Sequence, residues 1–184
     1  MRSQDEITAY HEAGHAVMAM SVGFQVIRIS IRNDASGLGH VCYAVPNEWT
    51  DELRRKAVLI CCGGLAGDFL HWQAMEKSVV EQDEVATGYF NDRRNASEHL
   101  LYISENDVFE LYQSLAIRYL QVPERWKIVE EIVFFLRGSG AIDGSDLLHR
   151  WAEACPQISD KDLTHISSLV EMERKTVCAV TGID

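Results

Sequence analysis

The sequence lacks the features that define several classes of protein. It has only three prolines in 184 residues, and it contains no internal repeat or low-complexity segment. Its five cysteines are odd in number and show no Cys-x-x-Cys spacing, which argues against a disulfide framework and a zinc ribbon. With 47% apolar and 24% charged residues, the composition is that of a globular protein rather than a disordered one.

Positive charge is also scarce. Lys and Arg number 17 against 28 Asp and Glu, which gives a formal net charge of −11. Such an excess of negative charge repels phosphate backbones and anionic lipid headgroups. Nucleic acid and membrane surfaces are therefore not expected as partners.

Long apolar runs and nucleotide-binding motifs are missing as well. The longest apolar stretch, Ala57–Ala66, has about half the length needed to cross a bilayer. The N-terminus is polar and acidic, unlike a signal peptide, and the cysteines fit reduced thiols. No Gly-x-x-x-x-Gly-Lys-Ser/Thr motif occurs, so we expect no ATP binding through a P-loop. These absences predict a cytoplasmic protein without a membrane span.

The apolar periodicity predicts a mainly α fold with a small β-sheet or hairpin. Apolar residues at helical spacing favour a helix from about residue 4 to 22, which Gly23 is placed to end. The next segment, Phe24–Arg32, alternates, with Ile27, Ile29 and Ile31 expected on its buried face. A turn then leads into a returning strand, Leu38–Val45.

Helices are expected over the rest of the chain. Thr50 is a suitable N-cap for a helix reaching about residue 71, and its three internal glycines favour close packing or a break. Residues 77–89 are polar and predict a loop, after which helices follow to the end. Ser104 with Asp107 and Ser159 with Asp162 have the spacing of a capping box at the start of a helix. Gly138-Ser139-Gly140 and Asp143-Gly144 mark breaks between helices.

The chemistry is carried by the segment His11-Glu12-Ala13-Gly14-His15. Two histidines four residues apart project from the same face of a helix, one turn apart, so their nitrogens can meet at one metal ion. Zinc lowers the pKa of a bound water, and Glu12 can accept the proton of that water as it attacks a carbonyl. Glu12 can then carry the proton to the leaving amine.

A catalytic zinc needs a third protein ligand. No histidine lies between Ala16 and Gly23, so the His-x-x-Gly-x-x-His extension is absent. The spacing of the remaining candidates does not choose between them. They comprise many carboxylates and the histidines His40, His71, His99, His149 and His165.

The zinc motif and several later segments resemble the FtsH family of ATP-dependent proteases. The segment Ala9–Val17 is similar to the zinc motif of that family, and Gly88–Ser97 fits its pattern Gly-x-x-Asn-Asp-x-x-x-Ala-Thr except that Ser97 replaces the threonine. Shorter likenesses lie between them, at Ile29-Ser30-Ile31, Gly37-Leu38-Gly39 and Leu65-Ala66-Gly67. The resemblance covers about residues 7 to 100.

The resemblance implies a single FtsH peptidase-like domain over 1–184, with a zinc-binding core at 1–103 and a helical part at 104–184. It implies Zn²⁺ held by His11, His15 and Asp92, because Asp92 matches the aspartate ligand of the family. Glu12 would be the general base. Asn91 is either a partner of the metal-binding carboxylate or a plain turn residue. His40 is either a contact to substrate or the oxyanion, or an ordinary strand histidine.

Two departures from the family leave alternatives open. The FtsH membrane anchor and ATPase module are not found in this sequence, and Asp68-Phe69-Leu70-His71 replaces the Arg-x-Ala-Glu that usually follows Leu-Ala-Gly. We expect a stand-alone, ATP-independent zinc metallopeptidase acting on peptides or unfolded proteins. The alternatives are a catalytically silent binding or regulatory module and a peptidase served by a separate ATPase. The resemblance implies a six-fold homo-oligomer, but without an ATPase module monomer and dimer also stay open.

Overall fold

A computed structural model describes residues 2–33, 38–75, 89–103 and 108–164. It is mainly helical with a small antiparallel sheet, which confirms the predicted fold class. The helices are α1 (Gln4–Ser21), α2 (Asp51–Ala74), α3 (Phe90–Leu100), α4 (Phe109–Leu120), α5 (Pro123–Ser139), α6 (Ser145–Ala154) and α7 (Asp160–Thr164). The strands are β1 (Val26–Ser30), β2 (His40–Tyr43) and β3 (Ala141–Asp143).

Local signals in the sequence set the ends of the two long helices. The Ser3 hydroxyl accepts a hydrogen bond from the amide of Glu6 at the start of α1, and the Thr50 hydroxyl accepts one from Leu53 at the start of α2. Gly23 follows α1 with a φ of 82°, a conformation that glycine adopts without steric cost. Both predicted helices are confirmed, and α2 extends three residues beyond its expected end.

The sheet has the order β2-β1-β3, with both pairs antiparallel. The prediction that Ile27 shares the buried face of Ile29 is wrong: Ile27 is 54% exposed and Ile29 is fully buried. A bulge between Val26 and Arg28 shifts the register, so that Val26 and Ile29 both face the core. The third strand, β3, is not predicted by the sequence, which marks only breaks between helices around it.

Helices α1 and α2 cross with their backbones in close contact. A Cβ atom built on Gly14 would lie 2.2 Å from the carbonyl oxygen of Gly63, and one built on Gly67 would lie 2.4 Å from that of Tyr10. Only glycine permits so close an approach, so the small residues of α2 serve packing and do not break the helix. The crossing brings the middle of α2 against the zinc-motif turn of α1.

The later helices close the core over this helix pair. Buried side chains of α4 and α5 join the same apolar cluster as those of α1, among them Leu115, Leu120, Ile132 and Leu136. At the C-terminal end of α1 the buried Arg125 donates to the Ser21 hydroxyl and to the carbonyl oxygens of Tyr119 and Pro156. Ser159 accepts from the amide of Asp162, which confirms that cap.

Some predictions fall outside the described residues. These are the turn at 34–37, most of the loop at 77–89, the Ser104 and Asp107 cap, and His165. Among the residues that are described, no helix combines the length and the apolar character needed to cross a membrane. The apolar stretch Ala57–Ala66 instead lies in the buried middle of α2.

Candidate metal centre

Three side chains from two helices converge at one point of the structure. The Nε2 atoms of His11 and His15 lie 3.1 Å apart, and the Asp92 carboxylate oxygen Oδ2 lies 3.1 and 3.2 Å from them. Ligand atoms bound to a tetrahedral zinc at its usual bond lengths are separated by about 3.3 Å. The triangle therefore has the size that a zinc ion requires, and the structure brings together the three residues that the family resemblance implied as ligands.

The second nitrogen of His15 indicates how that ring is oriented. Its Nδ1 lies 2.7 Å from the carbonyl oxygen of Ile60. The Gly64 amide also approaches Nδ1, at 3.2 Å, but the carbonyl is closer and can only accept a hydrogen bond, so Nδ1 carries the proton. Neutral His15 then presents the lone pair of Nε2 to Asp92. A lone pair and a carboxylate oxygen in contact repel each other unless a proton or a cation lies between them.

Without a metal, a proton fills that role. Burial lowers the pKa of His15, but the Asp92 carboxylate outweighs burial and raises the pKa to about 9. Burial of Asp92 favours its neutral form, yet the two imidazoles hold the pKa of the carboxyl well below its usual range. The three side chains thus form a site that demands positive charge at its centre.

Glu12 lies beside the triangle and is only 6% exposed. Burial raises the pKa of its carboxyl, and the two imidazoles partly oppose that shift. A Cβ atom on Gly39, the residue before β2, would lie 2.7 Å from Glu12 Oε1. The start of β2 therefore passes directly over the Glu12 carboxylate.

An open cleft of about 830 Å³ is lined by His11, His15 and Asp92, which we call the metal triad, and by Glu12. It is bounded by α1, the β2 strand, the middle of α2 and the start of α3. His40 and Asn91 both line this cleft, His40 half-buried at the start of β2 and Asn91 exposed in the first turn of α3. The other described histidines, His71, His99 and His149, do not line it.

Sequence reasoning missed two residues of the site. A Cβ atom on Gly64 would lie 2.3 Å from His15 Nε2 and 2.6 Å from His11 Nε2, so only glycine leaves room for the paired imidazoles. Tyr43 also lines the cleft, at the end of β2. The run of glycines in α2 signalled close packing but not its target. Nothing in the sequence singled out Tyr43.

Asp68 and His71, which depart from the FtsH pattern after Gly67, pair with residues in α1 and just before it. Asp68 forms a buried ion pair with Arg2. The ring of His71 stacks on Tyr10 with centroids 3.6 Å apart, and its Nε2 lies 3.6 Å from a carboxylate oxygen of Glu6. These contacts join α2 to α1 and to the residue Arg2 before it, so the changed residues support the helix crossing beside His11 and His15.

Comparison with known proteins gives a distant relationship. No family model matches the sequence. Among curated proteins, the chain is similar to the ATP-dependent zinc metalloprotease FTSH 9, chloroplastic/mitochondrial, of Oryza sativa subsp. japonica, with 29% identity over 106 residues. The match covers 54% of this chain, which spans only 12% of the length of that relative. Part of the chain is thus distantly related to an FtsH protein, which suggests a protease-related function.

Proposed function

We propose that this chain is a zinc metallopeptidase that hydrolyses peptide bonds in peptides or unfolded proteins without ATP. The observation that carries the proposal is the convergence of His11, His15 and Asp92 within 3.2 Å, with the buried Glu12 beside them. The distant similarity to a zinc metalloprotease supports the choice of metal. Nitrogen and carboxylate ligands also suit zinc.

Each residue of the site has a separate task. His11, His15 and Asp92 would hold Zn²⁺, which when bound acidifies water and polarises the carbonyl of the peptide to be cut. Glu12 would accept one proton from the attacking water as its oxygen adds to the carbonyl carbon. It would then pass that proton to the amide nitrogen as the C–N bond breaks, so the carboxylate is restored at the end. A raised pKa makes Glu12 a better acceptor of that proton.

The cleft and the sheet suit an extended peptide as substrate. β2 pairs with β1 on one side and is an edge strand of the sheet that the described residues form. An unpaired strand edge can bind the backbone of an extended chain. Because Gly39 and His40 lie at the Glu12 end of this edge, a peptide bound along β2 would pass the metal centre.

The composition and the sequence motifs also argue against two kinds of ligand. We propose that neither nucleic acid nor ATP is bound, because the net charge is −11 and no P-loop motif occurs in the sequence. A cytoplasmic location and a homo-oligomeric state remain predictions. The state of assembly can be read from the molar mass of the zinc-loaded protein in solution.

The test is the Glu12→Gln variant of the zinc-loaded protein with a fluorescent unfolded protein as substrate. The amide keeps the size of the side chain but cannot accept the proton of the attacking water. We expect about one zinc per chain, as in the wild type, and a loss of turnover of at least 100-fold. Glu98→Gln makes the same change on the exposed surface of α3 and should leave cleavage unchanged.

The possible outcomes separate the alternatives. Cleavage by Glu12→Gln at the wild-type rate would contradict the proposed mechanism. A wild-type protein that binds zinc but leaves the unfolded substrate intact would identify a silent binding module. Cleavage of the unfolded substrate at the same rate with and without ATP is expected. Cleavage that requires an added ATPase would instead show dependence on a separate partner.

A further inference from the structure

The geometry points to Tyr43 as a catalytic residue that donates a hydrogen bond from its hydroxyl to the carbonyl oxygen of the peptide bond being cut. This inference rests on the proposed function and adds a residue that neither the zinc motif nor the resemblance contains. The carbonyl oxygen gains negative charge as water adds to the carbon. A donor aimed at that oxygen before the reaction stabilises the charge without having to reorganise.

The backbone and a neighbouring ring hold Tyr43 in place. It pairs with Val26 in the sheet, and the next residue, Ala44, donates its amide to the carbonyl oxygen of Gln25 at 2.8 Å. The aromatic ring meets that of Phe24 edge to face, with centroids 5.6 Å apart. A ring fixed in this way can present its hydroxyl to the cleft in one orientation.

Tyr43 and Glu12 lie near different ends of β2, and both line the cleft that holds the metal triad. Gly39 and His40 lie at the Glu12 end, where Gly39 closely approaches the carboxylate and His40 acts electrostatically on it. Tyr43 lies four residues further along, about 13 Å at the rise of an extended strand. There the Asp92 carboxylate and the Cys61 thiol act electrostatically on its hydroxyl.

The reaction needs groups at two different positions. Glu12 must face the attacking water, and the oxyanion donor must face the carbonyl oxygen, which lies on the other side of the reacting carbon. His40 also lines the cleft, but it lies at the Glu12 end. Tyr43 is therefore better placed than His40 for contact with the carbonyl oxygen.

The hydroxyl of Tyr43 keeps its proton under all ordinary conditions. Burial is the main cause that raises the pKa of the phenol to about 12, with smaller contributions from Cys61 and Asp92. A phenol that stays protonated can donate a hydrogen bond throughout the pH range of the reaction. No proton transfer from Tyr43 is required, because Glu12 supplies the proton of the leaving amine.

The experiment compares Tyr43→Phe with wild type in the zinc-loaded protein. We expect unchanged zinc content, a decrease in kcat of about 10- to 100-fold on the unfolded substrate, and little change in KM. A phosphinic peptide, whose tetrahedral anionic group resembles the charged carbonyl, should bind more weakly to the variant by a similar factor. A hydroxamate, which binds through the metal, should bind equally to both proteins.

Tyr102→Phe is the matched control, since Tyr102 is 67% exposed at the end of α3 and does not line the cleft. Equal kcat and equal phosphinic-peptide affinity in wild type and Tyr43→Phe would overturn the inference, as would loss of zinc from the variant. An inactive wild type would refute the proposed function instead. In that case, weaker phosphinic-peptide binding by Tyr43→Phe would still support the contact.

Discussion

At the scale of single residues, the two imidazoles have room only because residue 64 is a glycine and has no side chain. A Cβ atom on Gly64 would lie within 2.6 Å of both Nε2 atoms. We expect Gly64→Ala to displace one imidazole and to weaken zinc binding by at least 10-fold, as measured by competition with a chelator of known affinity. The Ala variant also carries the cost of overpacking, about 1–3 kcal/mol in the free energy of unfolding.

Gly138→Ala separates the effect on the metal from the general effect of replacing a helical glycine. A Cβ atom on Gly138, near the end of α5, would have no neighbour within 4 Å. This control should bind zinc like wild type and gain about 0.5–1 kcal/mol in stability. Equal zinc affinity in the two variants would contradict the role assigned to Gly64.

The pairing of His15 with Asp92 makes the stability of the metal-free protein depend on pH. The pKa of His15 is about 9 in the folded protein and about 6.5 in the unfolded chain. A raised pKa stabilises the fold below pH 6.5 or so, and this contribution is lost as the pH rises towards 9. In urea unfolding of the metal-free protein, the free energy of unfolding should therefore fall across this window by about 3 kcal/mol or less.

Asp92→Asn and added zinc provide the two controls for this pH dependence. The Asn variant lacks the carboxylate that raises the pKa of His15, and bound zinc replaces the proton. Both should remove most of the decline between pH 6.5 and 9. A decline of the same size in the Asn variant would show that other groups titrate there.

The residue scale also shows what spacing can and cannot predict. Two histidines and a glutamate within one helical turn are placed by helix geometry alone, so His11, Glu12 and His15 follow from the sequence. Asp92 lies on α3, and its approach depends on how α3 packs against α2. Only the resemblance singled it out, because no local period connects the two helices.

At the scale of elements, the buried guanidinium of Arg125 joins segments that the sequence does not connect. It donates to the Ser21 hydroxyl at the end of α1 and to the carbonyl oxygens of Tyr119 and Pro156. We expect Arg125→Met to destabilise the protein by about 1–3 kcal/mol in urea unfolding, because buried acceptors lose a charged hydrogen-bond donor. Zinc content should not change, since Arg125 donates its hydrogen bonds to Ser21, Tyr119 and Pro156 and does not line the cleft.

Arg150→Met is the control for the loss of a long basic side chain, because Arg150 is exposed on α6. Its effect should be within about 0.5 kcal/mol of zero. If Arg125→Met is no less stable than Arg150→Met, the contacts of Arg125 contribute little. If Arg125→Met loses its zinc while still folded, the C-terminal end of α1 and the metal centre are coupled more strongly than expected.

The sheet marks the limit of prediction for whole elements. Alternating isoleucines predicted a strand at β1, but the bulge after Val26 moved Ile27 out of the core. A bulge depends on pairing with β2 and therefore leaves no reliable pattern within β1. The three residues of β3 are likewise too few for a periodic signal, and they are extended because they pair with β1.

At the scale of the whole molecule, residues 108–164 pack on the part of the chain that holds the candidate metal centre. β3 pairs with the central strand β1, and α4 and α5 pack against α2 and α1. The distant similarity covers just over half of the chain and does not define where a folding unit ends. That residues 1–184 form one domain remains a prediction.

Dividing the chain at residue 103 tests that prediction. Residues 1–103 alone would leave one edge of β1 unpaired and would expose the apolar side chains that α4 and α5 cover. Burial of apolar side chains is the main driving force for folding, and the fragment would lose part of it. We therefore expect the fragment to lack fixed tertiary structure and to bind zinc weakly. Co-expression with residues 104–184 should restore both the near-ultraviolet circular dichroism and one zinc per complex. A 1–103 fragment that folds and holds zinc with full affinity would instead define two domains, with the catalytic chemistry confined to the first.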